Sequence, residues 1–241
     1  MRSTSSKKTD GRPKRRNLVV ALVALAAVMG VAGCGGKDKA SSGSSGGAVT
    51  SVSEVRSLLS GIPQKGNVLG KPNAPVTMYE YVDYQCPFCR QFSTGPLRTV
   101  IKDYVRTGNV KLIAQTLSFV GPDSVKAARA AAAAGQQNKQ WEFTELWYFN
   151  QGQENSGYAT DGFVDKIYDA AGVSKAQANA YRKTEASKRP LAAADSGAQQ
   201  YAVDSTPSFV LGLTGGPYEK VAANPGNAAS LKAAIDTLLQ Q

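Results

Sequence analysis

The 241-residue chain is long enough for one domain with a sizeable core once any processed segment is removed. Its formal charge of +10 is concentrated at the start: without residues 1–33, 21 basic and 17 acidic residues remain, a net +4 with no basic stripe, so a nucleic-acid partner is excluded. The absence of histidine removes His-based general acid–base catalysis, Ser-His and Cys-His pairs and most zinc sites, and three cysteines are too few for a disulfide-stapled scaffold.

In chain order, residues 1–17 are polar and basic, and Leu18 to Val31 is an uncharged apolar run. A basic region, a short apolar region and the small residues that close it make residues 1–33 an export signal. The apolar run is short against the about 20 residues that usually cross a bilayer, so an uncleaved transmembrane anchor ranks second and plain secretion is the other alternative. Val31-Ala32-Gly33-Cys34 resembles a bacterial lipobox, which implies a mature N-terminus at Cys34 carrying lipid on its sulfur and a domain held at the outer face of the cell membrane. Arg15-Arg16 fits a loose twin-arginine pattern, but adjacent arginines are common in such regions and leave the export route open. Residues 34–60 form a Gly/Ser-rich flexible tether, with room for a short helix within Val49 to Ser60, and the domain proper occupies 61–241.

Pro63, Gly66, Gly70, Pro72 and Pro75 break the next stretch into turns, after which Val76 to Val82 reads as a strand. From Cys86 a helical pattern runs through Val105, kinked at Pro96 and ended by Gly108, and Val110 to Leu117 is a second strand. Strand signals then vanish over about 121–203, a block of helices that includes a capping box at Ser174-Lys175-Ala176-Gln177. Its Ala-dense and aromatic stretches, Ala127 to Ala134 and Trp141 to Phe149, read as core. Ser208 to Leu213 and Tyr218 to Ala222 form a hairpin around Gly215-Gly216, and Ala228 to Leu239 is a closing amphipathic helix.

The chemistry sits where the first strand delivers Cys86-Pro87-Phe88-Cys89 into a helix. Two thiols at C-x-x-C spacing on a first helical turn can close a small-loop disulfide, and the helix N-terminus favours the thiolate, which together suit thiol–disulfide exchange. The competing reading is half a zinc site. With no histidine and only Cys34 left over, a four-ligand site cannot be completed in one chain, so no metal is expected.

The order strand, C-x-x-C helix, strand, helical block, Thr206-Pro207, strand pair, helix resembles the DsbA family: an α/β, thioredoxin-like fold with a helical insertion. The resemblance covers about Gly61 to Gln241 and is carried by Tyr79 to Cys89, by Ser205-Thr206-Pro207-Ser208-Phe209 and by Lys139-Gln140-Trp141-Glu142-Phe143. It implies that Cys86 is the exposed nucleophile and Cys89 the buried resolving thiol, that Pro207 is a cis-proline beside them, and that the backbone of Thr206 pairs with substrate. Ser205 departs from the glycine of many relatives, a less permissive backbone there.

Phe88 stands where well-known oxidases of the family have histidine. It offers the Cys86 thiolate neither a hydrogen bond nor a charge, so the acidity of Cys86 is expected to rest on the helix N-terminus and backbone amides, and the centre to be a weaker oxidant; Pro87 is well suited to a first helical position. The resemblance also implies a buried acid at Glu80, able to accept the Cys89 proton as that sulfur becomes a thiolate. Strand alternation puts Glu80 beside Met78 and Val82, which leaves a buried and a solvent-facing carboxylate both open, and Asp83 is equally ambiguous.

The resulting expectation is an extracytoplasmic thiol–disulfide oxidoreductase that forms disulfides in exported proteins with thiols, uses no cofactor beyond its own dithiol, and is reoxidised by an unidentified membrane redox partner. The alternatives are a reductase or isomerase and, from another class, a non-catalytic binder of unfolded exported chains.

Overall fold

The computed structural model describes residues 47–241; the export signal, the lipobox with Cys34 and most of the glycine-rich segment lie outside the described residues. The first element is α1 (Val52–Leu59), whose Val55, Leu58 and Leu59 are buried in the main core. Packed structure therefore begins before residue 61, where the sequence reading ends the tether. The reason is local: the apolar positions of 52–59 fall on one face of a helix, and Arg106 fixes the far end by donating to the carbonyls of Leu58 and Ser60 at 2.6 and 2.9 Å.

Two short strands follow, β1 (Gln64–Lys65) and β2 (Val68–Leu69), in a stretch whose prolines and glycines read only as turns. Then come β3 (Val76–Val82), α2 (Pro87–Thr94), α3 (Pro96–Val100) with a π turn over Ile101–Val105, and β4 (Val110–Thr116). Pro96 does more than kink the long helix: it opens a separate one after Gly95.

Between β4 and β5 stand α4 (Pro122–Gly135), α5 (Gln140–Phe149), α6 (Asp161–Ala171), α7 (Lys175–Tyr181), a 3-10 turn (Glu185–Lys188) and α8 (Arg189–Gln200). The capping box at Ser174 does not form. Its hydroxyl caps nothing, and its N–H donates to the Gln137 side-chain oxygen at 2.8 Å, because a neighbouring helix end supplies a better-placed acceptor. The side-chain cap is made instead at α6, where Phe163 N–H donates to Thr160 Oγ1. The chain closes with β5 (Ser208–Leu213), β6 (Glu219–Val221) and α9 (Ala229–Leu239).

The strands form one mixed sheet in the order β1-β2-β4-β3-β5-β6, with β3 parallel to β4 and antiparallel to β5. The central strand β3 is covered on both faces. Val76, Met78 and Val82 point into the main core with Phe92, Leu97, Trp147 and Leu231, while Tyr81 points to a smaller cluster with Leu117, Ala194, Ala198 and Val210. On that second side Gly197 lets α8 approach closely, since a Cβ there would meet the Tyr81 hydroxyl at 2.5 Å. The Ala-rich α4 and aromatic α5 are core, as their composition suggests.

If α1 belongs to the domain, Leu58→Ala should lower unfolding free energy by about 2–5 kcal/mol, the range for emptying a buried leucine site. Urea unfolding would check this; a change within about 0.5 kcal/mol, typical of a surface substitution, would return the segment to the tether.

Candidate active site

The strand β3 ends in a turn, Asp83-Tyr84-Gln85, that is wholly buried, and buried backbone must find partners. Most of those partners come from the helical block. The Tyr84 carbonyl accepts from Trp147 Nε1, the Tyr158 hydroxyl and Gln151 Nε2 at 2.9, 3.0 and 2.8 Å, and Gln151 Nε2 also reaches the Cys86 carbonyl at 3.2 Å. The Asp83 carbonyl accepts from Cys86 N–H and from the Tyr148 hydroxyl. The Asp83 carboxylate turns inward and accepts from Gln85 N–H, Val120 N–H and the Ser124 hydroxyl at 2.9, 3.2 and 2.5 Å. Asp83 is thus a structural acceptor in the dry turn, not a surface charge.

This turn presents Cys86 as the N-cap of α2, in extended conformation, with Pro87 at the first helical position, where its missing N–H removes no intrahelical bond. Both thiols are free. Cys86 Sγ donates to the Thr206 carbonyl at 3.3 Å, and the Thr206–Pro207 peptide bond is cis. The tertiary fold therefore brings Cys86, Cys89, Thr206 and Pro207 to one place, with Phe88 58% exposed beside them.

Burial separates the two thiols less than the resemblance implies. Cys86 is only 7% exposed, against 1% for Cys89, because the Thr206 carbonyl sits on its sulfur. Chemistry separates them more. The Cys89 thiol, hydrogen-bonding to Cys86, is the largest influence that lowers Cys86 from 9.0 to about 6, helped by the Thr206 side chain and the N–H groups of Cys89 and Phe88 and opposed by burial. The backbone amides contribute as expected from the helix N-terminus, but the partner thiol contributes more. Burial pushes Cys89 well above its usual value, and its hydrogen bond to Cys86 adds to this.

Glu80 points inward and is 3% exposed; burial first, and then the neighbouring Glu145 charge, raise it from 4.5 to about 8. Glu145, on α5, is fully buried and likewise raised to about 8 by burial, against the lowering influences of Ser93 and Arg98. Reading the sequence misses Glu145, together with the roles of Tyr84, Tyr148 and Gln151. Glu145 and Tyr148 lie in the aromatic stretch read as core, and spacing alone does not show which way a single polar side chain turns. Among the described residues no group of three His, Cys, Asp or Glu side chains could hold a metal ion.

Comparison with known proteins agrees with this geometry. The thioredoxin family model matches residues 63–237. Disulfide bond formation protein D of Bacillus subtilis is 33% identical over 113 residues, 45% of this chain and 51% of that protein, so the chain matches about half the length of that relative. Probable disulfide bond formation protein D of Bacillus anthracis is 28% identical over 200 residues, 78% of this chain and 88% of that protein. The crystal structure of oxidised BdbD from Bacillus subtilis superposes with a TM-score of 0.64 at 23% identity, covering 75% of this chain and 98% of that one, a likeness of fold.

Because the folded value of Cys86 lies below its ordinary one, the thiolate stabilises the reduced fold fully above about pH 9, and that contribution fades as pH falls through about 6. We expect iodoacetamide to alkylate Cys86 with a half-maximal rate near pH 6 while Cys89 stays unmodified. Peptide mapping of the labelled protein would show it, and labelling of Cys89 first would reverse the assignment.

Proposed function

Given that this chain belongs to the DsbA-like thiol–disulfide oxidoreductases of the thioredoxin family, we propose that it exchanges a Cys86–Cys89 disulfide with the thiols of exported proteins, in the direction that forms disulfides in them. The observation that carries this reading is the pairing of an acidified, marginally accessible Cys86 with a covered, unacidified Cys89 under the Thr206 carbonyl.

A substrate thiolate attacks Cys86 Sγ of the disulfide, the Cys86–Cys89 bond breaks, and Cys89 leaves as a thiolate. In this reading Glu80, neutral near pH 7 because it titrates at about 8, hands Cys89 a proton. A second substrate thiolate attacks the substrate sulfur of the mixed disulfide and releases Cys86 as its stabilised thiolate. The substrate has then lost two electrons and the centre has gained them. Phe88, exposed beside Cys86, gives an unfolded chain an apolar foothold, and the Thr206 backbone offers it hydrogen bonds. The centre needs no cofactor beyond its dithiol, and a membrane redox partner would remove the electrons.

A thiolate that is stable at neutral pH stabilises the reduced centre and makes it electron-accepting. With Cys86 at about 6, the reduction potential should fall between thioredoxin's about −270 mV and DsbA's about −120 mV. Export by residues 1–33 and lipid attachment at Cys34 complete the proposal, which places the domain at the outer face of the membrane; among the described residues no helix is long and apolar enough to cross one.

With a reduced, unfolded protein as substrate, the wild type should restore its disulfides and Cys86→Ser should not. Cys89→Ser, given a disulfide-bonded protein instead, should accumulate mixed disulfides on a non-reducing gel, because the Cys86 thiolate attacks the disulfide, one protein sulfur leaves as a thiolate, and no Cys89 is present to resolve the adduct. Equal, slow oxidation by wild type and Cys86→Ser would leave only a binder of unfolded chains, and a potential at or below about −270 mV would indicate a reductase. Mass spectrometry of the membrane fraction should find Cys34 as the lipid-bearing N-terminus; a free Cys34 thiol in the mature protein would remove the lipid anchor.

A further inference from the structure

The first turns of α4 and the end of α7 border a cavity of about 490 Å³. Pro122, Val125, Lys126 and Arg129 stand at i, i+3, i+4 and i+7 on α4, share one face of that helix and line the cavity together. The rest of its wall is Arg182, the C-cap of α7, with Lys183 and with Asp161 at the start of α6. Four cations therefore meet one carboxylate, a net +3, against a net +4 for everything beyond residue 33.

The two arginines are held in place. Arg129 donates from Nε to Ser187 Oγ at 2.8 Å and from Nη2 to the Thr184 carbonyl at 3.0 Å, partners that carry no charge. Arg182 donates to Asp161 at 2.9 Å, and this contact, with Lys126 and Lys183 nearby, holds the Asp161 carboxyl below its usual range. Glu185, in the field of Arg129, is paired with Lys188 at 2.8 Å. Lys126 and Lys183 are exposed and in no salt bridge among the described residues. The cavity thus carries positive charge that its own acid does not balance, and its electrostatic complement is an anion.

Its position ties it to the dithiol. Ser124 Oγ, next to Val125 in the chain, accepts from Gln85 Nε2 at 3.0 Å and donates to Asp83, and Gln85 precedes Cys86. Covalent lengths and that one hydrogen bond put the Val125 Cα at most about 18 Å from the Cys86 Cα, so an extended chain crossing the surface between them needs about five to seven residues. Val125 and Phe88 are among the few large hydrophobic side chains exposed in the described residues.

We propose that this cavity is a second docking site for exported protein substrates, taking a segment with two or more carboxylates about five to seven residues from the cysteine that bonds to Cys86. The inference rests on the exchange reaction proposed above and names the substrates it favours. The carboxylates seat on Lys126, Lys183 and the held guanidinium groups, while Pro122 and Val125 cover an apolar side chain between them. A concave site with an apolar wall this near to Cys86 fits a chain already bonded there better than a flat sheet of lipid headgroups. The gain falls on encounter, because opposite charges raise the association rate and salt screens them.

The test measures oxidation of two reduced dithiol peptides by the oxidised protein. One carries a pair of glutamates six residues from its nearer cysteine and the other a pair of glutamines; each rate is divided by that peptide's rate with a small disulfide, which removes differences in thiol acidity. In about 10 mM salt the acidic peptide should react about tenfold faster, and the ratio should fall to about one in about 1 M salt, where the screening length is about 3 Å. In Lys126→Glu/Lys183→Glu the low-salt ratio should fall below one. If that double variant does not fold, Lys126→Gln should lower the ratio to about three, and the salt series on the wild type stands without any substitution. A wild-type ratio near one at low salt, or a ratio that the substitutions leave unmoved, would overturn the proposal. So would binding to vesicles of anionic lipid that the double variant abolishes while the peptide ratio stays near one, which would make the patch a membrane contact. Failure of the exchange reading looks different: the wild type would oxidise neither peptide at any salt concentration, and the docking site would fall with it.

Discussion

The carbonyls of Asp83 and Tyr84 are the points on which the rest of the site hangs. They lie in a buried turn that neither sheet nor helix hydrogen bonds can satisfy in full, and the missing donors are the side chains of Trp147, Tyr148, Gln151 and Tyr158. An unpaired buried carbonyl costs on the order of 1–3 kcal/mol, so the turn is stable only with the helical block docked. That docking is what orients Cys86 at the head of α2 and sets its sulfur under the Thr206 carbonyl. The block is thus a part of the active site's framework as well as a cover on the sheet.

Within this framework a shortage of water does most of the electrostatic work. Cys86 and Cys89 are chemically identical side chains three positions apart, yet one is held near 6 and the other is pushed far up. The difference lies in which atoms can stabilise charge at each place. Cys86 collects the Cys89 thiol, the Thr206 side chain and two backbone N–H groups, whereas Cys89 sits in the apolar core with a developing thiolate as its nearest charge. The same dryness raises Glu80 and Glu145 to about 8 and so keeps both carboxyls largely protonated at neutral pH.

The parts of the fold legible in the sequence were those written in short-range pattern. Val76–Val82 and Ser208–Leu213 are β-rich runs bounded by turn residues, and both strands stand where that pattern puts them. Proline after the first cysteine of the C-x-x-C pair suits a first helical position, and α2 begins at Pro87. Less legible were elements too short for any period, such as β1 and β2, and those whose ends depend on a neighbour. Ser174 has the local signature of a cap, but the Gln137 side chain reached its N–H first. The segment 52–59 shows the limit in the other direction: its apolar face is visible in sequence, but whether a helix after a glycine-rich stretch docks depends on a groove that only the folded domain presents.

By itself the sequence determined the chemistry. Two cysteines at one-turn spacing, no histidine and no third or fourth thiolate in the domain leave exchange between sulfurs as the reaction the chain can perform. It also marked the strand that carries the pair, and the family resemblance in the sequence pointed to the Thr206-Pro207 step that faces it. Only the tertiary structure decided how that chemistry is tuned. It turned Glu80 and Asp83 inward and brought Glu145 from a helix sixty residues downstream in the chain to within the field of Glu80. It also made the Cys89 thiol, rather than the helix end alone, the main support of the Cys86 thiolate. The physical reason is range: spacing along the chain fixes which side chains share a helical turn or a strand face, whereas acidity depends on dielectric and on partners within a few ångströms, and these are assembled from segments far apart in sequence.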